Sequence, residues 1–209
     1  MGKRSGREVV ARRYDRLAWL YDAYNAPMEI SGVRTMRRRL LSQARGLVLE
    51  VGIGTGRNLD HYPPEVRVVG IDIAQRMLDR ARRTAERLGR EVRLEQSDVQ
   101  RLPFADRSFD TAVATCVFCS VPDPVAGLRE LRRVVKPDGQ VLLVEHVRPR
   151  GWLLGRLSDV VSWATRRMFG FNANRRTEDN VVAAGFEILD VRRHGVWREI
   201  VARPAAAAG

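Results

Sequence analysis

The chain has 209 residues, 44% of them hydrophobic, enough for one sizeable domain with its own core. It carries 37 Lys and Arg against 25 Asp and Glu, a net charge of +12. No apolar run reaches the ~18 residues that a spanning helix needs, no leader pattern opens the chain, and the expected compartment is the cytoplasm.

The distribution of the charge matters more than its size. Residues 1–45 carry eleven basic residues against four acids, residues 46–147 fifteen of each, residues 148–176 seven arginines against Asp159, and the remainder four against five. The excess therefore sits in two segments flanking a neutral block, a partition that predicts a positive face built from accessory segments.

The first segment reads as a helical arm. Val9, Val10, Tyr14, Leu17, Leu20, Tyr21 and Tyr24 keep helical spacing, with Tyr14, Ala18 and Tyr21 on one face and Lys3, Arg4, Arg7, Arg12, Arg13 and Arg16 near the start. An ordinary amphipathic helix packed on the core explains the apolar face equally well. Pro27 ends the arm, and residues 30–44, with Arg34, Arg37, Arg38 and Arg39, read as a second helix.

Next comes Val48-Leu49-Glu50-Val51-Gly52-Ile53-Gly54-Thr55-Gly56, a strand running into three alternate glycines, followed by Arg57 and Asn58. Glycine is required where the backbone turns at positive φ or a ligand approaches with no Cβ in the way. A dinucleotide loop would read G-x-G-x-x-G with an acid about 20 residues on; here the third glycine comes one residue early. An S-adenosylmethionine (SAM) loop has no pyrophosphate to cradle, and Glu50 could then take the ligand's ammonium and Asp72 its ribose hydroxyls.

Beyond the loop, strand and helix alternate. Residues 66–71 form a short strand ending at Asp72, and Met77, Leu78, Ala81, Ala85 and Leu88 mark a helix stopped by Gly89. Val92 and Leu94 begin a third strand, closed by Gln96-Ser97-Asp98-Val99. Residues 109–116 read as a strand buried on both faces. That run contains Cys116, with Cys119 just beyond; the C-x-x-C pair reads as buried thiols, with a redox motif as the alternative and no second pair or histidine cluster to complete a metal site. Asp123 as cap and Pro124 as first helical residue start a helix, Pro137-Asp138-Gly139 reads as a turn, and residues 140–144 form a fifth strand delivering Glu145-His146.

Leu153, Leu157, Val160, Val161, Ala164 and Met168 then mark an amphipathic helix flanked by Arg150, Arg156, Arg166, Arg167 and by Trp152, Trp163 and Phe169. Basic residues with aromatic anchors suit an anionic lipid surface; a cap helix with solvated arginines is the alternative. Thr177 is expected to cap a short helix ended by Gly185, residues 186–193 and 196–203 to form a closing antiparallel hairpin, and residues 205–209 to be a disordered tail. The expected units are thus an arm at 1–45, a core at 46–147, a basic insertion at 148–176 and a final helix and hairpin at 177–204.

The alternation implies a parallel, doubly wound α/β sheet, in which ligands bind beyond the carboxyl ends of the strands. Glu50, Asp72, Asp98, residues 115–120 and Glu145-His146 should then line one rim.

The linked set L-E-V-G-I-G-T-G, G-I-D-I at Asp72 with Met77, S-D-V at Asp98, L-P-F with D-R-S-F-D at residues 106–110, and R-V-V-K-P-D-G at residues 133–139 resembles the class I SAM-dependent methyltransferases. Tyr14-Asp15 to Tyr21-Asp22, Phe118-Cys119-Ser120-Val121 and Glu145-His146-Val147 resemble more narrowly the group of bacterial phospholipid N-methyltransferases, ubiquinone/menaquinone C-methyltransferases and membrane-associated thiol methyltransferases. Asp138 replaces the usual glycine of the K-P-G-G turn. The resemblance implies a Rossmann-like, mostly parallel seven-stranded sheet with SAM as cofactor. It gives Glu50 and Gly52 the methionine part of SAM, Gly54 and Gly56 the close backbone approach, and Asp72 the ribose. Asp98 takes the adenine amino group with Val99 beside it, Ile73 and Met77 pack on the ring, Asn58 and Thr115 complete the set, and Tyr14 and Tyr21 close over the cofactor.

Methyl transfer to a substrate nucleophile asks mainly for positioning and exclusion of water. An amine acceptor must first lose a proton, and His146 is the candidate base by location, with Tyr21 or Tyr24 in relay. The expected activity is methylation of a lipid at an anionic membrane surface, phosphatidylethanolamine first. Quinone-precursor C-methylation and small-thiol methylation are the enzyme alternatives, and an RNA or DNA methyltransferase is a further one. Thr115-Cys116-Val117-Phe118 stands where base-amino methylation would require an N-P-P-Y type motif, which argues against a nucleic-acid partner. Nothing in the sequence sets the oligomeric state.

Overall fold

The computed structural model describes residues 32–149 and 174–206, together with Arg12, Trp152, Arg156, Ser158, Asp159, Ser162 and Asn172. Tyr14, Tyr21 and Tyr24 lie outside the described residues, as does most of the basic arm.

The elements run α1 (Arg34–Leu41), β1 (Leu47–Val51), β2 (Arg67–Asp72), α2 (Gln75–Leu88), β3 (Val92–Gln96), β4 (Phe109–Thr115), α3 (Pro124–Val134), β5 (Val135–His146), α4 (Thr177–Ala183), β6 (Phe186–His194) and β7 (Trp197–Pro204). Seven strands form one sheet in the order β3-β2-β1-β4-β5-β7-β6. The first five are mutually parallel, and β7 runs antiparallel to both β5 and β6. Strand order reverses between β1 and β4, where an open parallel sheet leaves a crevice at its carboxyl edge. Val51 pairs with Ile71 on one side and Ala114 on the other, while Thr115 pairs with Val144. The ends of β1, β2, β4 and β5 are therefore level, and the segments leaving these strands meet at one rim.

Core burial explains the sequence pattern. β1 and β4 lie mid-sheet with both faces covered, so Val48, Leu49, Val51, Ala112, Val113 and Ala114 are all buried, and the strands read as continuous apolar runs. One face carries Leu128, Leu131 and Val134 of α3 with Val181 of α4. The other carries Met36, Leu40 and Leu41 of α1 with Leu78, Ala81 and Ala85 of α2. Each such fully buried large side chain contributes about 1.5–3 kcal/mol. α1 is thus part of the sheet packing. Three of the arginines in this part of the chain serve the fold: Arg37 is buried, Arg39 pairs with Glu199, and Arg45 donates to the Asp138 carbonyl at 2.8 Å.

The cap at α3 is as expected: Asp123 Oδ1 accepts from Ala126 N at 2.9 Å, with Pro124 beginning the helix. Two local expectations are corrected. Residues 137–139 are not a free turn before the fifth strand; β5 begins at Val135 and carries them as an irregularity. Between the pairs Phe109–Val135 and Thr111–Gln140, β4 advances two residues and β5 five, so three extra residues bulge out. Lys136 Nζ, donating to Asp110 Oδ1 at 2.6 Å, fastens the bulge to β4. Thr177 does not cap α4 either: it is the first helical residue, Arg176 holds the cap position without a side-chain bond, and the Thr177 hydroxyl is buried without a hydrogen-bond partner. Among the described residues, no helix is long and apolar enough to cross a membrane.

Candidate cofactor-binding site

At the carboxyl edge, beside the β1/β4 reversal, lies a cavity of about 700 Å³, counting the space continuous with solvent. Its polar groups are Asp72, Ser97, Asp98, Gln100, Thr115 and Ser120, and its apolar walls include Ile73, Met77, Val99 and Val117. Such a volume and a mainly apolar lining with a few placed polar groups suit a ligand of cofactor size.

The glycine loop forms one side. Gly52 stands at φ +61°, and a Cβ there would lie 2.6 Å from Val117 Cγ2, so a side chain would collide with the opposite wall. Gly56, at φ +79°, lets the loop lie close on α2, where a Cβ would meet Ala81 Cα and the Thr84 side chain at 3.3 Å. Gly54 N donates to Asp72 Oδ2 at 2.9 Å, and Ala74 N to Asp72 Oδ1 at 2.9 Å. Asp72 thereby ties the loop to β2. Asp72 also lines the cavity.

Glu50 is placed differently from the expectation. It is 1% exposed and absent from the cavity wall. Its Oε1 accepts from Asn58 Nδ2 and its Oε2 from the Tyr62 hydroxyl, each at 2.8 Å. Burial raises its pKa to about 7, with the two donors and Arg37 opposing. Asn58 Nδ2 also donates to Thr115 Oγ1 at 3.1 Å, so this buried network joins the loop to the end of β4. Tyr62 was missed in the sequence, since nothing in a spacing of twelve residues signals that its hydroxyl returns to the strand.

The turn after β4 forms the facing wall. Cys116 lines the cavity at φ +58°, an unusual conformation for a non-glycine residue. Both cysteines are half-buried at this turn, and Cys116, expected as the last residue of the strand, lies just beyond β4. Beneath the turn, Glu145 is fully buried; its Oε1 accepts from Val117 N at 2.8 Å and Phe118 N at 3.1 Å, and Oε2 has no hydrogen-bond partner. Burial raises its pKa to about 7. Glu145 thus supports the rim from below and does not line it. The chain following β5 fastens the same turn from outside: Asn172 N donates to the Cys119 carbonyl at 2.8 Å, and Arg175 Nη2 to the Val121 carbonyl at 2.6 Å.

Of the expected cofactor residues, Gly52, Gly54, Asp72, Ile73, Met77, Asp98, Val99 and Thr115 are brought together around the cavity. Glu50, Asn58 and Gly56 stand behind it as supports. Gln100 is an unforeseen member; it donates through N and Nε2 to Asp98 and accepts from Asp123 N, orienting the acid and the start of α3 together. His146 does not line the cavity. Its ring packs edge-on against Trp197 with centroids 5.5 Å apart, and burial with Arg198 nearby lowers its pKa, so the imidazole is neutral at pH 7.

A doubly wound sheet whose cavity is closed by a G-x-G-x-G loop and two strand-end acids defines the class I methyltransferase architecture. A methyltransferase-domain family model matches residues 49–143. The chain is 36% identical over 165 residues to a phosphatidylethanolamine N-methyltransferase of Cereibacter sphaeroides, covering 75% of this chain and 80% of that one. It is 33% identical over 155 residues to a demethylmenaquinone methyltransferase of Deinococcus radiodurans, covering 71% and 64% respectively, just under two thirds of that relative. A human thiol S-methyltransferase is 35% identical over 131 residues, 55% of this chain and 52% of that one. In fold, a methyltransferase structure from Bacillus halodurans aligns with a TM-score of 0.71 at 20% identity, covering 84% of this chain and all of that one. A crystallised cyclase aligns at 0.77 and 19% identity over 97% of both, so the fold by itself does not fix the reaction.

The chain belongs to the class I SAM-dependent methyltransferases, in the group that includes phospholipid, menaquinone and thiol methyltransferases. SAM is its methyl donor.

Proposed function

We propose that this methyltransferase acts at an anionic membrane surface on the amine of phosphatidylethanolamine. The observation carrying the reading is the charge partition: residues 46–147 are neutral while 1–45 and 148–176 hold net charges of +7 and +6. Basic residues near an anionic bilayer contribute about 1 kcal/mol each, so even a fraction of these suffices for reversible attachment. The 36% identity to the Cereibacter sphaeroides enzyme supports the same acceptor. Trp152, exposed and stacked on Arg156 with the guanidinium carbon 5.1 Å from the ring centroid, supplies the amphipathic pair expected at a lipid interface.

The residues present fit the cofactor. In this reading Asp72 receives the ribose hydroxyls, Asp98 the adenine amino group, and Ile73, Met77 and Val99 pack on the base, with the Gly52–Gly54 backbone and Thr115 near the methionine part. The bound cofactor supplies an electrophilic sulfonium methyl. The chain's own contribution is to hold the acceptor nitrogen in line, keep water out with the turn at 116–121, and receive the ammonium proton. His146, neutral at pH 7 and at the end of β5, is assigned that last role. Tyr14 and Tyr21 are assigned to closure of the site, and Tyr21 or Tyr24 to relay of the proton.

Incubation with labelled SAM and a total lipid extract, followed by mass spectrometry, tests the acceptor directly. Methylated phosphatidylethanolamine is expected; a methylated quinone precursor or thiol overturns the assignment. In parallel, the protein should float with anionic vesicles at low salt and release as ionic strength rises. Binding RNA in a gel shift without binding vesicles removes the membrane reading.

A further inference from the structure

Beyond β5, a second cleft of about 630 Å³, counting space open to solvent, is lined by Arg148, Arg175, Arg176 and Arg198, by Thr177, and by the acids Glu178 and Asp179. It shares a wall with the cofactor cavity, because Arg175 lines the cleft while its Nη2 donates to the carbonyl of Val121, which lines the cavity. Arg148 N donates to the Arg175 carbonyl at 2.9 Å, holding the two arginine-bearing segments side by side.

Two observations point to an oxyanion. Thr177, one of the residues lining the cleft, is 1% exposed, and its buried hydroxyl has no hydrogen-bond partner among the described residues. Folding tolerates a buried donor of this kind poorly unless something accepts from it. Independently, Arg148, which lines the cleft, already grips a carboxylate outside it: it donates through Nε and Nη2 to Asp159 at 3.2 and 2.9 Å, and Asn174 Nδ2 adds a third bond to that acid at 3.1 Å. A guanidinium fork that grips a carboxylate with two donors matches a phosphate equally well. Glu178 is paired with Arg193 and Arg198, at 2.7 and 2.8 Å, and the exposed Arg176 lines the cleft together with Asp179.

We propose that this cleft binds the phosphodiester of the acceptor lipid, through Arg148, Arg176 and the Thr177 hydroxyl. The inference rests on the phospholipid reading and deepens it. The phosphate of an ethanolamine headgroup lies two carbons from the reacting nitrogen, so anchoring it next to the cofactor cavity fixes where the amine can reach. Arg198 acts only as support, being buried and donating to the carbonyls of Gly195 and Trp197 as well as to Glu178.

Calorimetric titration of the full chain with glycerophosphoethanolamine, and separately with inorganic phosphate, tests the cleft without any methylation assay. Wild type should bind the glycerophosphodiester; Arg176→Gln and Thr177→Val should each weaken it about tenfold, the scale of one hydrogen bond to a charged group. Asp159→Asn should tighten it severalfold by removing the competing carboxylate. Arg83→Gln, an exposed charge outside the cleft, should leave binding unchanged, and SAM affinity should be the same in all four variants, which also reports that they fold. Unaltered binding in Arg176→Gln and Thr177→Val overturns the proposal, as does an equal loss in Arg83→Gln, which would mean diffuse charge. Binding of inorganic phosphate alone makes the cleft a free-phosphate site and overturns the headgroup assignment. If the titration pattern holds but phosphatidylethanolamine is not methylated, the cleft stands and the acceptor falls. If it is methylated with the KM of wild type by Arg176→Gln, the acceptor stands and the cleft falls.

Discussion

The side-chain amide of Asn58 donates to the carboxylate of Glu50 at 2.8 Å, in a buried network beneath the glycine loop that Tyr62 completes from the other oxygen. Removing either donor leaves a buried acceptor unsatisfied, so Asn58→Leu and Tyr62→Phe should each destabilise by about 1–3 kcal/mol. For a chain of this length that is a fall in Tm of about 2–4 °C per kcal/mol. The effects should be less than additive, because a carboxylate stripped of donors takes up a proton instead. Differential scanning calorimetry of the single and double variants checks this, and strict additivity would contradict a shared partner.

The backbone at Gly54, φ +57°, is bonded to Asp72. Gly54→Val places a branched side chain in a left-handed conformation, costing about 1–2 kcal/mol, and alters the loop that lines the cavity. SAM binding should be abolished in a calorimetric titration. Retained affinity would show that the loop does not hold the cofactor.

Glu145 gives a pH signature. Unfolded, its carboxyl titrates near 4.5; folded, burial lifts it to about 7. Between these values the folded chain keeps a proton that the unfolded chain has lost, so stability falls as pH rises through that window, by on the order of 3 kcal/mol for such a shift. Glu50, raised to about 7 for the same reason, adds a similar slope. Glu145→Gln still offers an oxygen to Val117 N and Phe118 N but has no proton to lose, so it should remove about half of the combined slope. Urea denaturation at pH 5.5 and 8 measures it, and an unchanged slope would rule out Glu145 as its source.

His146→Ala separates a base from a packing residue. The ring does not line the cofactor cavity, so SAM affinity should be unchanged, while turnover should fall by about 10²-fold, the lower range for a general base. The loss should shrink as pH rises and more free amine becomes available. Equal losses in SAM affinity and turnover would leave His146 as a neighbour of Trp197 only.

Much of this protein was legible in the sequence because strand and helix periodicities are local. The alternation predicted the doubly wound sheet, the G-x-G-x-G spacing together with the acids Asp72 and Asp98 favoured SAM over a dinucleotide, and Asp72 ends β2 while Asp98 follows β3, strands whose ends the parallel register makes level. The partition of charge is likewise a property of the sequence alone. Which way a strand-end acid turns is not local, because it depends on donors brought from elsewhere. Glu50 and Glu145 read as rim residues in sequence, yet Tyr62 and Asn58 claim one and the amides of Val117 and Phe118 claim the other. Asp72, which accepts from the amide of Gly54 in the loop and from that of Ala74 just beyond its own strand, stays at the cavity. Thr177 shows the converse: its sequence position suggests a cap, but tertiary packing buries its hydroxyl without a partner, beside arginines that converge only in the folded chain.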